Sequence, residues 1–220
     1  MIKKIFTLLM PWRFQRLLLI KWFGYKIHPT ARIGLAWIYP TYLEMCENSR
    51  IDHLNIAINL DKIVLAEEVS IGRGNWITGF PTNTSSQHFN HQFDRKAELI
   101  IGESSSITKN HHLDCTNTIS IGKYSTIAGY NSQLLTHSIN LLESRQDSAP
   151  ISIGDYTFVG TNVVILGGAR LPNYSVLGAK SLLNHSFENE WYLYAGVPAK
   201  EIKEINKDAK YFHRKSGFVF

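Results

Sequence analysis

The sequence predicts an all-β chain wound into a solenoid, and three observations carry that expectation. Ile153, Val159, Ile165, Leu171, Leu177 and Leu183 recur at a strict interval of six residues. Gly154, Gly160 and Gly178 directly follow three of them. The same six-residue phrasing appears upstream from Ile27, Ile51, Ile71, Ile101 and Ile121, with interruptions. A helix cannot use this interval, because at 3.6 residues per turn every sixth side chain turns to a different face. In extended chain an even interval returns the side chain to the same side, so each hexad reads as one short strand plus a bend. Glycine suits a tight corner. Three such hexads close a triangular coil in which residue i stacks over i+18: Ile153 over Leu171, Val159 over Leu177, Ile165 over Leu183.

Taken in chain order, residues 1–26 form a helical segment ahead of the solenoid, residues 27–185 the solenoid, and residues 186–220 a turn and terminal helix. The register slips by two residues before Ile121, and an even slip keeps the inward face inward. Five to seven coils follow from this phrasing. Two stretches cannot be coils: the Asn-, Ser-, Thr- and His-rich segment 79–98, and the segment 137–150 just before the cleanest hexads. Long loops on a rigid scaffold are candidates for binding. Beyond the last hexads, "AGVPAKEIKEINKDAKYF" leaves through a Gly and Pro turn and continues as a helix.

With 220 residues, 44% hydrophobic and 19% charged, the chain can build one well-buried domain. Cys46 and Cys115 form no paired-cysteine motif, which fits a reducing, cytoplasmic setting. The net charge of +5 is spread along the chain without a nucleic-acid motif, so no nucleic-acid partner is expected. An anionic small ligand or a membrane surface accounts for it as well. The first 25 residues interleave Lys and Arg with Trp12, Phe14, Trp22 and Phe23, and Pro11 and Arg13 break their apolar run, so they are neither a signal peptide nor a span. They fit a cap on the open end of the solenoid, a segment lying at the inner face of a membrane, or both.

The hexads, "LLTHS" at Leu134 to Ser138 followed by a loop, "IGDYTFVGTNVVILGGARLP", "LGAKS" and "GVPAKEIK" together resemble the hexapeptide-repeat acyltransferases. The likeness is to sugar O-acetyltransferases of the galactoside, maltose and polysaccharide-biosynthesis type. It covers residues 101–205 well and the first hundred loosely. The resemblance implies a left-handed parallel β-helix, a homotrimer, acetyl-CoA as donor, no metal, and a sugar hydroxyl as acceptor, in surface polysaccharide synthesis. It also implies that His137 is the general base. A sugar hydroxyl is a weak nucleophile at neutral pH, and an imidazole in reach can take its proton as it attacks the thioester. His111, His112 and Asp114 are candidates to orient the acceptor or His137, or are polar residues of a solvent face. Phe158 matches an aromatic near the thioester. Gly160, Thr161, Gly178 and Ala179 match small residues along the pantetheine slot, although corners of any solenoid want small residues. Lys200 and Lys203 match cations near the nucleotide phosphates, and three apart they would share one side of a helix.

A serine or other small-molecule acetyltransferase is the near alternative, but serine acetyltransferases carry a large helical domain, and only about 25 residues precede the first hexad here. From other classes come a zinc hydratase using His111, His112 and His137, and a non-catalytic scaffold. Adjacent histidines in a strand point to opposite faces, which weakens the zinc reading.

Overall fold

A computed structural model describes residues 1–219; Phe220, the last residue of the expected terminal segment, lies outside the described residues. The hexads form three parallel sheets that the chain visits in rotation. The first sheet begins at Lys26–Ile27 and ends at Arg170–Leu171, the second begins at Arg32–Ile33, and the third runs from Trp37–Ile38 to Leu182–Leu183. Together they make a left-handed parallel β-helix. The first and third sheets each hold seven strands, so the solenoid has seven coils.

Through the seven coils every ladder is apolar. Ile27, Met45, Leu65, Ile101, Ile121, Ile153 and Leu171 are stacked partners in the first sheet. The predicted stacks Val159 on Leu177 and Ile165 on Leu183 are present in the other two. The inward residues are nearly inaccessible, with Ile127, Leu134, Val159 and Ile165 at 0% exposure. Burying each such side chain stabilises the fold by roughly 1.5–3 kcal/mol. The slip before Ile121 keeps its partner Ile101 in register, because two residues are one full period of the strand.

Gly154, Gly160 and Gly178 stand at corners as expected, but none of them takes the left-handed backbone there. The left-handed backbone positions fall on Tyr124, Tyr156 and Tyr174 at one corner and on Asn131 and Asn162 at the next. Gly154 and Gly160 serve close approach instead. A Cβ on Gly160 would lie 2.6 Å from the Ala179 nitrogen of the coil above. The corner tyrosines use their outward rings in a column, with Tyr124, Tyr156, Tyr174 and Trp191 stacked at 4.8, 5.4 and 4.5 Å between centroids.

Two helices, α1 (Ile2–Leu8) and α2 (Trp12–Phe23), close the first coil. Leu19 is buried, and Trp12, Ile20 and Phe23 pack on the core. The other end is not capped by the helix the sequence suggested. Tyr192–Gly196 and Ala199–Glu204 form an antiparallel hairpin, followed among the described residues by a 3-10 turn at Lys210–His213. Tyr194 continues the second ladder by pairing with Leu177, so an available sheet edge overrides the helix-forming composition of "AKEIKEI". The tail then runs back down the second sheet, where the Tyr211 hydroxyl donates to the Thr157 carbonyl at 2.8 Å.

Candidate active site

The chain leaves the third sheet after Gln133–Leu135 and makes a hairpin of His137–Asn140 with Arg145–Ser148 before rejoining the first sheet at Ile151. Thr136 fixes the exit. It is buried, its hydroxyl donates to the Asp114 carbonyl at 2.7 Å, and its own carbonyl accepts from the Ala149 nitrogen at 2.9 Å. Gly167 on the next coil must be bare here, since a Cβ would stand 2.6 Å from the Thr136 oxygen.

This exit sets His137 beside Asp114, which projects from the outer face of the strand one coil below. The His137 Nδ1 lies 2.5 Å from Asp114 Oδ2, and the His137 backbone N–H donates to the same oxygen at 3.2 Å. The other carboxylate oxygen accepts from the Thr116 hydroxyl at 2.7 Å and its N–H at 3.2 Å. Burial alone would raise the Asp114 pKa, but the donors from His137 and Thr116 hold it below the ordinary carboxylate value. That ionised carboxylate requires Nδ1 to carry a proton, which leaves Nε2 as the basic nitrogen. The bond to Asp114 raises the His137 pKa, partly offset by burial. The imidazole is 44% exposed and lines a cavity of about 540 Å3 with Ser138, Asp147, Ser148, Gly167 and Asn184.

The loop of residues 79–97 backs this site. Arg95 is buried and its Nη1 donates to the carbonyls of Phe80 and Thr116 at 2.5 and 2.6 Å. Its guanidinium lies over the Phe89 ring at 4.6 Å, and the edge of Phe89 meets His137 at 6.3 Å between centroids. Gln92 joins the loop to the hairpin, donating to Asp147 Oδ1 at 2.8 Å and to the Ser148 carbonyl at 2.7 Å. The two excursions from the repeat thus form one structure around one imidazole.

No family model matches the chain. Over 68 residues, 31% of this chain and 33% of its counterpart, the sequence is 37% identical to galactoside O-acetyltransferase of Escherichia coli K12. The chain spans about a third of the length of the curated relatives it matches. The polysialic acid O-acetyltransferase OatWY superposes with a TM-score of 0.65 at 22% identity, covering 82% of this chain and 84% of that one. A hexapeptide-repeat acetyltransferase of Vibrio cholerae O1 biovar eltor, complexed with acetyl coenzyme A, superposes with a TM-score of 0.51 at 18% identity, covering 93% and 84%. The fold is that of the hexapeptide-repeat acetyltransferases.

On this hexapeptide-repeat scaffold the remaining candidates separate into groups. Asp114 stands against His137, whereas His111 points away from it. It is buried inside the coil, its Nε2 paired with the Thr108 hydroxyl at 2.9 Å and its Nδ1 accepting from the Ser132 N–H at 3.1 Å. It continues an interior polar column from Asn55 and Asn75. Burial lowers its pKa to about 4. His112 shares the outer face with Asp114 but is flanked by Trp76 and Gln133. The three histidines of the zinc reading are therefore apart, and among the described residues no group of three or more His, Cys, Asp or Glu could hold a metal.

Phe158 lies on the second sheet, 5.8 Å edge-on from Tyr211 of the tail, and not beside His137. Gly160, Thr161, Gly178 and Ala179 form a continuous corner between the second and third sheets, with Gly178 next to Ala195. Lys200 pairs with that Ala195 and Lys203 with Leu193. The helix expected to align the two lysines is absent, but the bulge at Ile202 places both opposite alternate residues of one strand and so on one face of the hairpin. Gly160 and Thr161 precede the strand Val164–Leu166 and Gly167 follows it, so one strand length separates the small-residue corner from His137 within a chain. A second cavity, about 580 Å3, lies against the second sheet with Arg50, Arg73 and Lys109 on its wall, away from the imidazole.

Sequence reasoning missed Gln92, Arg95 and Phe89, because a loop without periodicity gives no signal of what it packs on. The Thr at 136 and Gly at 167 were legible only as hexad corners.

Proposed function

We propose that the protein is an acetyl-CoA-dependent O-acetyltransferase acting on a sugar hydroxyl by direct transfer. The carrying observation is the His137–Asp114 pair, with a protonated Nδ1 held by a buried carboxylate and Nε2 presented to a cavity. Nε2 accepts the acceptor's hydroxyl proton as that oxygen attacks the thioester carbonyl. The tetrahedral intermediate collapses with cleavage of the C–S bond, and the imidazolium returns the proton to the departing thiolate. Asp114 fixes the tautomer and stabilises the transient imidazolium, as an orienting carboxylate does in other triads. The relatives named for galactoside and polysialic acid acetylation support a sugar or polysaccharide acceptor.

The corner of Gly160, Thr161, Gly178 and Ala179, extended by Lys200 and Lys203, suits the pantetheine and phosphates of the donor. Within a chain one strand length separates this corner from His137, and in this reading the site is completed by His137 of a neighbouring subunit in a homotrimer packed around a threefold axis. Among the described residues no helix is long and apolar enough to cross a membrane. A place on the cytoplasmic side, with residues 1–25 toward the membrane surface, belongs to the same reading.

Thiol release from acetyl-CoA, measured against a panel of sugars and nucleotide sugars, tests it. The expected result is acceptor-dependent release that His137→Ala removes. Release by no acceptor, or full turnover in the variant, would overturn the assignment. Sedimentation under assay conditions should give a trimer, and a monomer or dimer would contradict the shared site.

A further inference from the structure

The two helices that close the first coil have two dissimilar faces. Inward, Gln15 and Leu19 are buried and Arg16 anchors α2 by donating from Nη2 to the Ile27 carbonyl at 2.7 Å. Thr7 is buried in α1, where its hydroxyl and that of Tyr39 lie 2.6 Å apart. Outward, the face is apolar where a capping face would be polar. Ile2 is 85% exposed, Leu9 71%, Phe14 63% and Leu17 58%, and Phe6 meets Trp22 at 5.8 Å across the two helices. Exposed Lys3, Arg13 and Lys21 stand among them, and no Asp or Glu precedes Glu44 in the sequence.

Large apolar side chains ringed by cations and lacking any acid match the chemistry of an anionic lipid surface, where the rings and aliphatics enter the acyl boundary and the cations meet the headgroups. A second copy of the chain is a poor occupant, since self-association through this face would oppose cations to cations with no carboxylate between them. We infer that the outer face of α1 and α2 docks the protein on an anionic bilayer with the solenoid axis standing up from it.

This orientation has a geometric consequence. His137 follows the fifth rung of the third sheet, four rungs above the coil that the helices close. At about 4.8 Å per strand the imidazole stands about 19 Å higher than that coil. In a threefold assembly with parallel axes, three such faces would meet the bilayer together and bind by avidity. Docking stands independently of the chemistry; that it presents His137 to a glycan carried on a lipid, a few sugars out from the headgroup, rests on the acetyltransferase reading.

Flotation of the full-length protein with vesicles tests the docking without any turnover. The protein should float with phosphatidylcholine–phosphatidylglycerol vesicles at low salt and remain below with phosphatidylcholine alone. Each cation at such a surface is worth about fivefold in partitioning, so the triple variant Lys3→Gln, Arg13→Gln, Lys21→Gln should bind about a hundredfold more weakly. Leu17→Glu should lose flotation as well, with its circular dichroism and thermal transition retained because the side chain is exposed. Thiol release with a soluble acceptor should be the same in all variants. Failure of the wild type to float with anionic vesicles, equal flotation of the variants, or higher-order self-association that Leu17→Glu abolishes would each overturn the proposal.

Discussion

His111 and His137 lie in successive coils, yet one is buried and the other stands open to a cavity. His111 is inside the coil, deprived of water, and its pKa is driven down to about 4. His137 is at the root of a hairpin, bonded to Asp114, and its pKa is driven up. The same side chain is a neutral hydrogen-bonding post in one place and, in the proposed function, a base in the other. The difference lies in where the backbone leaves the repeat: His111 stays within a coil corner, while the chain turns outward at His137.

Breaking the functional member should have the largest effect. His137→Ala should lower turnover about a hundredfold to ten-thousandfold and leave acetyl-CoA binding by calorimetry nearly unchanged. Asp114→Asn should follow, with a loss of about tenfold to a thousandfold, because the amide no longer dictates the tautomer. It should also sharpen the contrast in the pH profile. Turnover in the wild type should rise with pH through a value above the ordinary 6.5, since the base form exists only above the raised pKa. In Asp114→Asn that limb should move to lower pH, as the cause of the elevation is gone.

His111 should respond in the opposite currency of measurement, stability instead of turnover. His111→Ala leaves the Ser132 N–H without its imidazole acceptor and should cost about 1–3 kcal/mol in denaturant unfolding, with turnover per folded molecule retained. His111→Asn, which extends the column of Asn55 and Asn75, should recover part of it. The signs with pH also differ. A buried neutral histidine with a depressed pKa weakens the fold as pH falls from about 6.5 toward about 4, because only the unfolded chain takes up the proton there. His137 contributes the reverse: its pairing stabilises below 6.5 and fades as pH rises through its raised pKa. The smallest effect belongs to the exposed Lys200 and Lys203, whose double replacement by Ala should raise the KM for acetyl-CoA by no more than about fivefold per residue, with the difference shrinking in salt.

The ladders were legible because an even period in extended chain admits one reading, and the place of His137 at the root of an excursion was legible because it opens the interruption beside the cleanest hexads. The place of His111 stayed open in the sequence for a physical reason: in a strand corner one residue of register decides between core and solvent, and "NHHLD" offers both. The terminal hairpin was hidden by good helix formers, whose weak local preference lost to pairing of Leu193 and Tyr194 with Val176 and Leu177. The corner tyrosines gave no sign of left-handed backbone, since nothing in their chemistry favours it except the ring column they join.

The closed ends of the solenoid bear on how it comes apart. Within the ladders each coil pairs only with the coils above and below, so loosening of the sheets is expected to spread inward from the termini, with the returning tail tying several coils of the second sheet together. The helices guard one terminus, and Trp191, stacked on Tyr174 at 4.5 Å, clamps the other. Asp114 and His137, in the fourth and fifth of seven coils, sit where fraying from either side arrives last. Amide exchange should therefore be slowest on Leu113 and Leu134 and quicken toward both ends, so that the short bond between Asp114 and His137 outlives the loosening of the termini.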